Sequence, residues 1–98
     1  KSRGVIHAYS GSIQQAENLL KINFSFGFGN MLTNPQAYKL HDIVKFLPIE
    51  AIVIETDDHK NPDELIQVAE RVARIKKLTV GQVVDQCDQN TRNIFNID

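Results

Sequence analysis

His7 and Asp57 are the residues of this sequence best equipped for chemistry. His7 closes the apolar run Gly4-Val5-Ile6, and Asp57 follows Ala51-Ile52-Val53-Ile54 behind Glu55 and Thr56. A neutral imidazole and a carboxylate converging on one point are common ligands of a divalent ion, so metal-assisted hydrolysis is the reaction class they suggest. Each also has a plainer reading. A histidine in an apolar strand is more often a hydrogen-bonded core residue. An acid after a buried strand either caps the next segment or serves a site. Glu55 precedes Asp57 by two residues, which on a regular strand turns both carboxylates to one side. It either orients a ligand or pairs with a base on a neighbouring strand.

The elements that must position these groups follow from periodicity. Gly4 to Tyr9 is a β-branched run closed by Ser10-Gly11, the pattern of a buried strand ending in a turn. Ser12 to Gln15 has the form of a capping box ahead of Ile13, Ala16, Leu19 and Leu20, which predicts a helix ending near Asn23. Phe24-Ser25-Phe26-Gly27-Phe28-Gly29 alternates large with small, so a second strand presents rings on one face and a nearly bare, crowded opposite face. Thr33-Asn34-Pro35 offers a cap and a first-turn proline for a helix whose stripe is Tyr38, Ile43, Val44 and Leu47. Ala51 to Ile54 reads as a parallel strand covered on both faces. Pro62 to Lys77 and a capping box at Thr79 to Gln82 open two final helices, the last running through Cys87 to Phe95.

Strand, helix, strand, helix, strand, helix, helix is the order of a parallel sheet with right-handed crossovers. His7 and Asp57 are 50 residues apart, about two βα units, so both can lie on the same carboxyl-end rim. Three strands alone would leave Phe24, Phe26 and Phe28, or Ile52 and Ile54, exposed to water. The expectation is a fragment whose sheet continues upstream.

Composition narrows the function classes. Ninety-eight residues, 42% hydrophobic and 23% charged, describe one globular unit and exclude a multi-domain machine. A net charge of −1 provides no bulk field for a polyanion, so any nucleic-acid contact is local. The apolar runs are shorter than the ~18 residues of a membrane span, and Lys1-Ser2-Arg3-Gly4 has no signal-peptide character. A cytoplasmic protein with no membrane or stable protein partner is expected. The single cysteine, Cys87, fits a reducing compartment and, on the apolar side of its helix, an inert core thiol.

The block Gly4-Val5-Ile6-His7-Ala8-Tyr9-Ser10-Gly11-Ser12, the strand Phe26-Gly27-Phe28-Gly29, the block Ile54-Glu55-Thr56-Asp57 and the stretch Gln89-Asn90-Thr91-Arg92-Asn93-Ile94-Phe95 resemble, in that order, the C-terminal part of the TatD-type metal-dependent deoxyribonucleases. The resemblance implies an α/β fold in which residues 1–98 are the C-terminal three βα units, strands six to eight, of a metal-dependent hydrolase (β/α)8 TIM barrel. It implies one or two divalent ions (Zn2+, Mg2+ or Mn2+), with His7 matching a metal-binding histidine and Asp57 an aspartate that both ligates metal and accepts the proton of the attacking water. The substrate would be DNA or another phosphodiester, and the N-terminal barrel half would be the necessary partner. The sequence departs from the family pattern in having no His-x-His, and in passing through Asp58-His59-Lys60-Asn61-Pro62 directly to helix where the family carries Ala-Pro and a longer loop.

The remaining candidates divide between binding and bland roles. Glu55, Ser10 and His59 are candidates for orienting a ligand or contacting substrate. Ser10-Gly11-Ser12 suits an anion-binding turn or a plain helix cap. His59 and Lys60 could meet a phosphate or simply be solvated. Gly27, Gly29 and Asn30 lack any phosphate-loop pattern and read as tightly packed strand positions. His41 reads as a surface residue, and Arg71, Arg74, Lys76 and Lys77 as charges offsetting their own helix dipole. Two rivals stand beside the nuclease: a degenerate or truncated relative serving as a binding or assembly module, and a flavodoxin-like domain using Asp57 and Asp58 as an acidic pocket.

Overall fold

The computed structural model describes residues 3–55 and 62–95. Asp57 and His59 lie outside the described residues, as do Asp58 and Lys60. Three parallel strands, β1 (Gly4–Ile6), β2 (Phe24–Phe28) and β3 (Ile52–Ile54), form one sheet in the order β1-β2-β3. Ile6 pairs with Phe26, Phe26 with Ile52, and Phe28 with Ile54. Partners in a parallel ladder point the same way, so these side chains share one face while Val5, Ser25, Gly27 and Val53 share the other.

The first face is the core. Phe26, Phe28 and Ile52 are buried in one cluster with Ala16, Val44, Val68, Val72 and Val83, which come from α1 (Ile13–Lys21), α2 (Tyr38–Phe46), α3 (Pro62–Lys76) and α4 (Val80–Phe95). The expected exposure of Phe26, Phe28 and Ile52 is therefore corrected. All four helices contribute to that cluster, so the rings lie on the helix-covered face, and on the opposite face Ser25, Gly27 and Val53 are themselves buried.

Both capping boxes form. Ser12 Oγ accepts from Gln15 N at 3.1 Å and Gln15 Oε1 from Ser12 N at 3.0 Å, and Thr79 and Gln82 make the same exchange before α4. The start of α2 differs from expectation. Asn34 Oδ1 accepts from Gln36 N at 2.9 Å, a local turn that competes with helix, so Thr33 ends a short 3-10 turn and Pro35 precedes the helix. Tyr38, expected in the buried stripe, sits at the helix start and is 69% exposed. His41 is also more than a surface residue, with Nε2 2.9 Å from Leu32 O. Lys76 does not serve its own helix end. Its ammonium donates to Lys45 O at 3.1 Å and to Leu47 O, capping the end of α2, and burial pulls its pKa below the usual lysine range.

Asn90 anchors the last helix. Its buried amide donates to Ile49 O at 2.8 Å and Ile52 O at 2.7 Å and accepts from Gln86 Nε2 at 2.9 Å. The amide thereby fixes α4 to the backbone at the beginning of β3. Among the described residues no helix is long and apolar enough to cross a membrane.

Candidate metal centre

The face of the sheet opposite the helices leads to the site. Strand pairing in β1 stops at Ile6, earlier than the expected Tyr9, because Ala8 adopts a left-handed conformation at φ 47°. Such a conformation costs a residue bearing a Cβ about 1 kcal/mol. Here it is stabilised from two sides: Ala8 N donates to Glu55 Oε1 at 2.9 Å, and Tyr9 N donates to Gly27 O at 3.2 Å. His7 consequently stands at the carboxyl end of β1 with its side chain 74% exposed. The core-histidine reading of His7 is excluded.

Glu55 extends β3 by donating its N–H to Phe28 O at 2.8 Å, and its carboxylate holds both the Ala8 amide and the His7 ring, Oε2 meeting Nδ1. The two readings of Glu55 thus converge, because the base it pairs with is the candidate ligand itself. A carboxylate that receives Nδ1–H fixes the imidazole tautomer, leaving the Nε2 lone pair available. That is the donor geometry a divalent ion requires from histidine.

The turn after His7 is built by its neighbours. Buried Tyr9 packs edge-on against Phe26, with centroids 5.0 Å apart, and donates its hydroxyl to Ser12 O at 2.6 Å. Burial pushes the Tyr9 phenol pKa upward. Ser12 performs the capping, so Ser10 is left exposed on the rim. With Gly29, Met31, Lys39 and Glu55, Ser10 lines a cleft of about 480 Å3 that opens beside the His7–Glu55 pair.

Among the described residues no group of three or more His, Cys, Asp or Glu side chains converges as a complete metal cage. His7 supplies one imidazole donor, and Asp57, the other expected ligand, lies outside the described residues. Cys87 is buried and its thiol is pushed up to about 12, which removes it as a ligand or nucleophile. Sequence reasoning missed the left-handed Ala8 and the cationic rim residue Lys39. The abrupt change from β-branched residues to Ala8 was the available signal for the first; nothing local marked the second.

The sequence model of the TatD-related DNase family matches residues 1–96. The uncharacterized metal-dependent hydrolase YjjV of Escherichia coli K12 is 27% identical over 96% of this chain, and YabD of Bacillus subtilis is 29% identical over 96%. The chain spans only 40% and 41% of those two proteins. The crystal structure of the E. coli YjjV TatD homologue superposes with a TM-score of 0.83 at 26% identity, covering 97% of this chain and 41% of its own. A TatD-family hydrolase from Entamoeba histolytica gives a TM-score of 0.78 at 19% identity, covering 93% of this chain and 41% of its own, which bears on the fold. With a family match running almost from end to end of the sequence, the chain belongs to the TatD-related DNase family.

Proposed function

We propose that this chain forms strands six to eight of a (β/α)8 barrel, and that the whole protein is a divalent-metal-dependent hydrolase cleaving DNA phosphodiester bonds in the cytoplasm. The observation that carries the reading is the His7–Glu55 pair at the carboxyl rim of the sheet, where barrel enzymes of this class place their chemistry. Among the described residues β1 and β3 are the outer strands of the sheet, which supports a sheet that continues into the rest of the barrel. The relatives' description as metal-dependent hydrolases supports the reaction class.

In this reading His7 would offer an imidazole nitrogen to Zn2+, Mg2+ or Mn2+, and Asp57 would provide a carboxylate ligand from the segment after β3. The bound ion supplies water acidified toward pKa ~7 and neutralises charge developing on the phosphate. Asp57 would accept the proton of the attacking water as the new P–O bond forms and the ester P–O bond breaks, and would return it to the departing strand's oxygen. Glu55 holds the His7 ring in one tautomer, and the cleft flanked by Ser10 receives the strand beside the scissile bond. His59 contacts an adjacent phosphate.

The test uses full-length protein containing the upstream strands. Addition of Zn2+, Mg2+ or Mn2+ is expected to raise the unfolding temperature by mass action and to support cleavage of a labelled oligonucleotide, with His7→Gln losing both. Full-length protein that shows neither effect with any of the three ions overturns the reading.

A further inference from the structure

Gly27 contributes no side chain to the site, and we infer that this bareness is its role: Gly27 is a positioning residue, the gap through which Glu55 reaches across β2 to orient His7. β1 and β3 are not neighbours, since β2 lies between them. Adjacent strands are separated by about 4.8 Å, so a carboxylate starting from β3 must lie flat over β2 to touch a residue at the end of β1. Gly27 is the β2 position beneath that path. A Cβ placed there would overlap Glu55 Cδ and Oε1 and lie 2.8 Å from Oε2.

Backbone geometry does not demand glycine here. Among the described residues Gly27 is not one of those with positive φ, so it occupies a conformation open to alanine. Gly29 makes a useful contrast. A Cβ there would meet the Glu55 backbone oxygen at 3.2 Å and leave the carboxylate alone. Ser25, on the same face and away from the path, carries a side chain. The atoms that Gly27 accommodates are the far end of a flexible side chain, so an added methyl displaces Glu55 and spares the strand. Displacement releases the His7 ring and the Ala8 amide together, because one carboxylate holds both.

The metal arm of the test rests on the proposed role of His7 as a ligand; the metal-free arm does not. In the full chain without metal, Gly27→Ala is expected to retain its unfolding temperature. The 15N shifts of His7, assigned against His7→Gln, should move from a single Nδ1–H tautomer toward a mixture, and the Ala8 amide should lose its hydrogen-bonded shift. Affinity for Mn2+ or Zn2+ should fall about 10- to 100-fold, the usual effect of losing a partner behind a metal-binding histidine. Glu55→Ala should cost the same, and Gly27→Ala/Glu55→Ala no more than Glu55→Ala alone. Unchanged His7 and Ala8 signals in Gly27→Ala, or additive losses in the double variant, overturn the inference. If Gly27→Ala unfolds, recovery of folding in the double variant locates the clash at the carboxylate and supports it, while failure of both variants to fold overturns it. A wild-type protein that binds no metal refutes the proposed function and leaves the tautomer result to decide the role of Gly27.

Discussion

The two faces of the sheet obey opposite rules. On the helix-covered face Phe26, Phe28 and Ile52 are packed out of contact with water. On the opposite face Ser25, Gly27 and Val53 keep side chains small, and the strand ends carry His7 and Glu55. Period-two alternation lets one short strand do both jobs: odd and even positions answer to different neighbours. The large buried rings are thereby gathered on one side and the candidate metal-binding groups on the other, which separates the expected consequences of substitution.

The strongest way to break this division is Phe26→Ala. Loss of that ring is expected to cost about 3–5 kcal/mol in urea-induced unfolding. His7→Gln should shift the same curve by less than about 0.5 kcal/mol while abolishing stabilisation by added metal. A comparable loss from His7→Gln in metal-free protein would show that the His7–Glu55 side of the sheet contributes as much to stability as the ring-packed side. Asn90→Ala is next, expected to destabilise by about 1–3 kcal/mol because the Ile49 and Ile52 carbonyls lose their donor. Glu55→Gln should lower metal affinity about 10-fold, measured by calorimetry, with little change in unfolding, since the neutral amide polarises His7 less than a carboxylate.

The remaining effect is confined to alkaline pH. Burial raises the Cys87 thiol from 9.0 to about 12, so the unfolded chain loses this proton first as pH rises. Stability from this group is complete below pH 9 and is lost between pH 9 and about 12, with a slope of at most about 1.4 kcal/mol per pH unit. Cys87→Ala should flatten that part of the alkaline unfolding profile.

The strand order and both capping boxes were legible because each depends on residues close in sequence, as at Ser12–Gln15 and Thr79–Gln82. The late start of α2 was not, because Asn34 makes its own turn and overrides the signal from Pro35. At the site, the residue types were readable but their pairing was not. Glu55 was recognisable as a carboxylate awaiting a base, yet the identity of that base depends on a path across a third strand. The exposure of His7 was hidden for a related reason: the end of β1 is set by the backbone of Ala8, whose conformation is held from β3 by Glu55 and from β2 by Gly27.

The contact between Glu55 and His7 also reports on strand alignment. It forms when Ile54 stands opposite Phe28 and Ile6 opposite Phe26. Sliding β3 by a single residue would turn its carboxylate toward the helices and bring Ile54 to the face opposite them. Chains that fold with the wrong pairing are therefore chains without an oriented imidazole, and loss of the His7–Glu55 contact would be an early sign of mispairing.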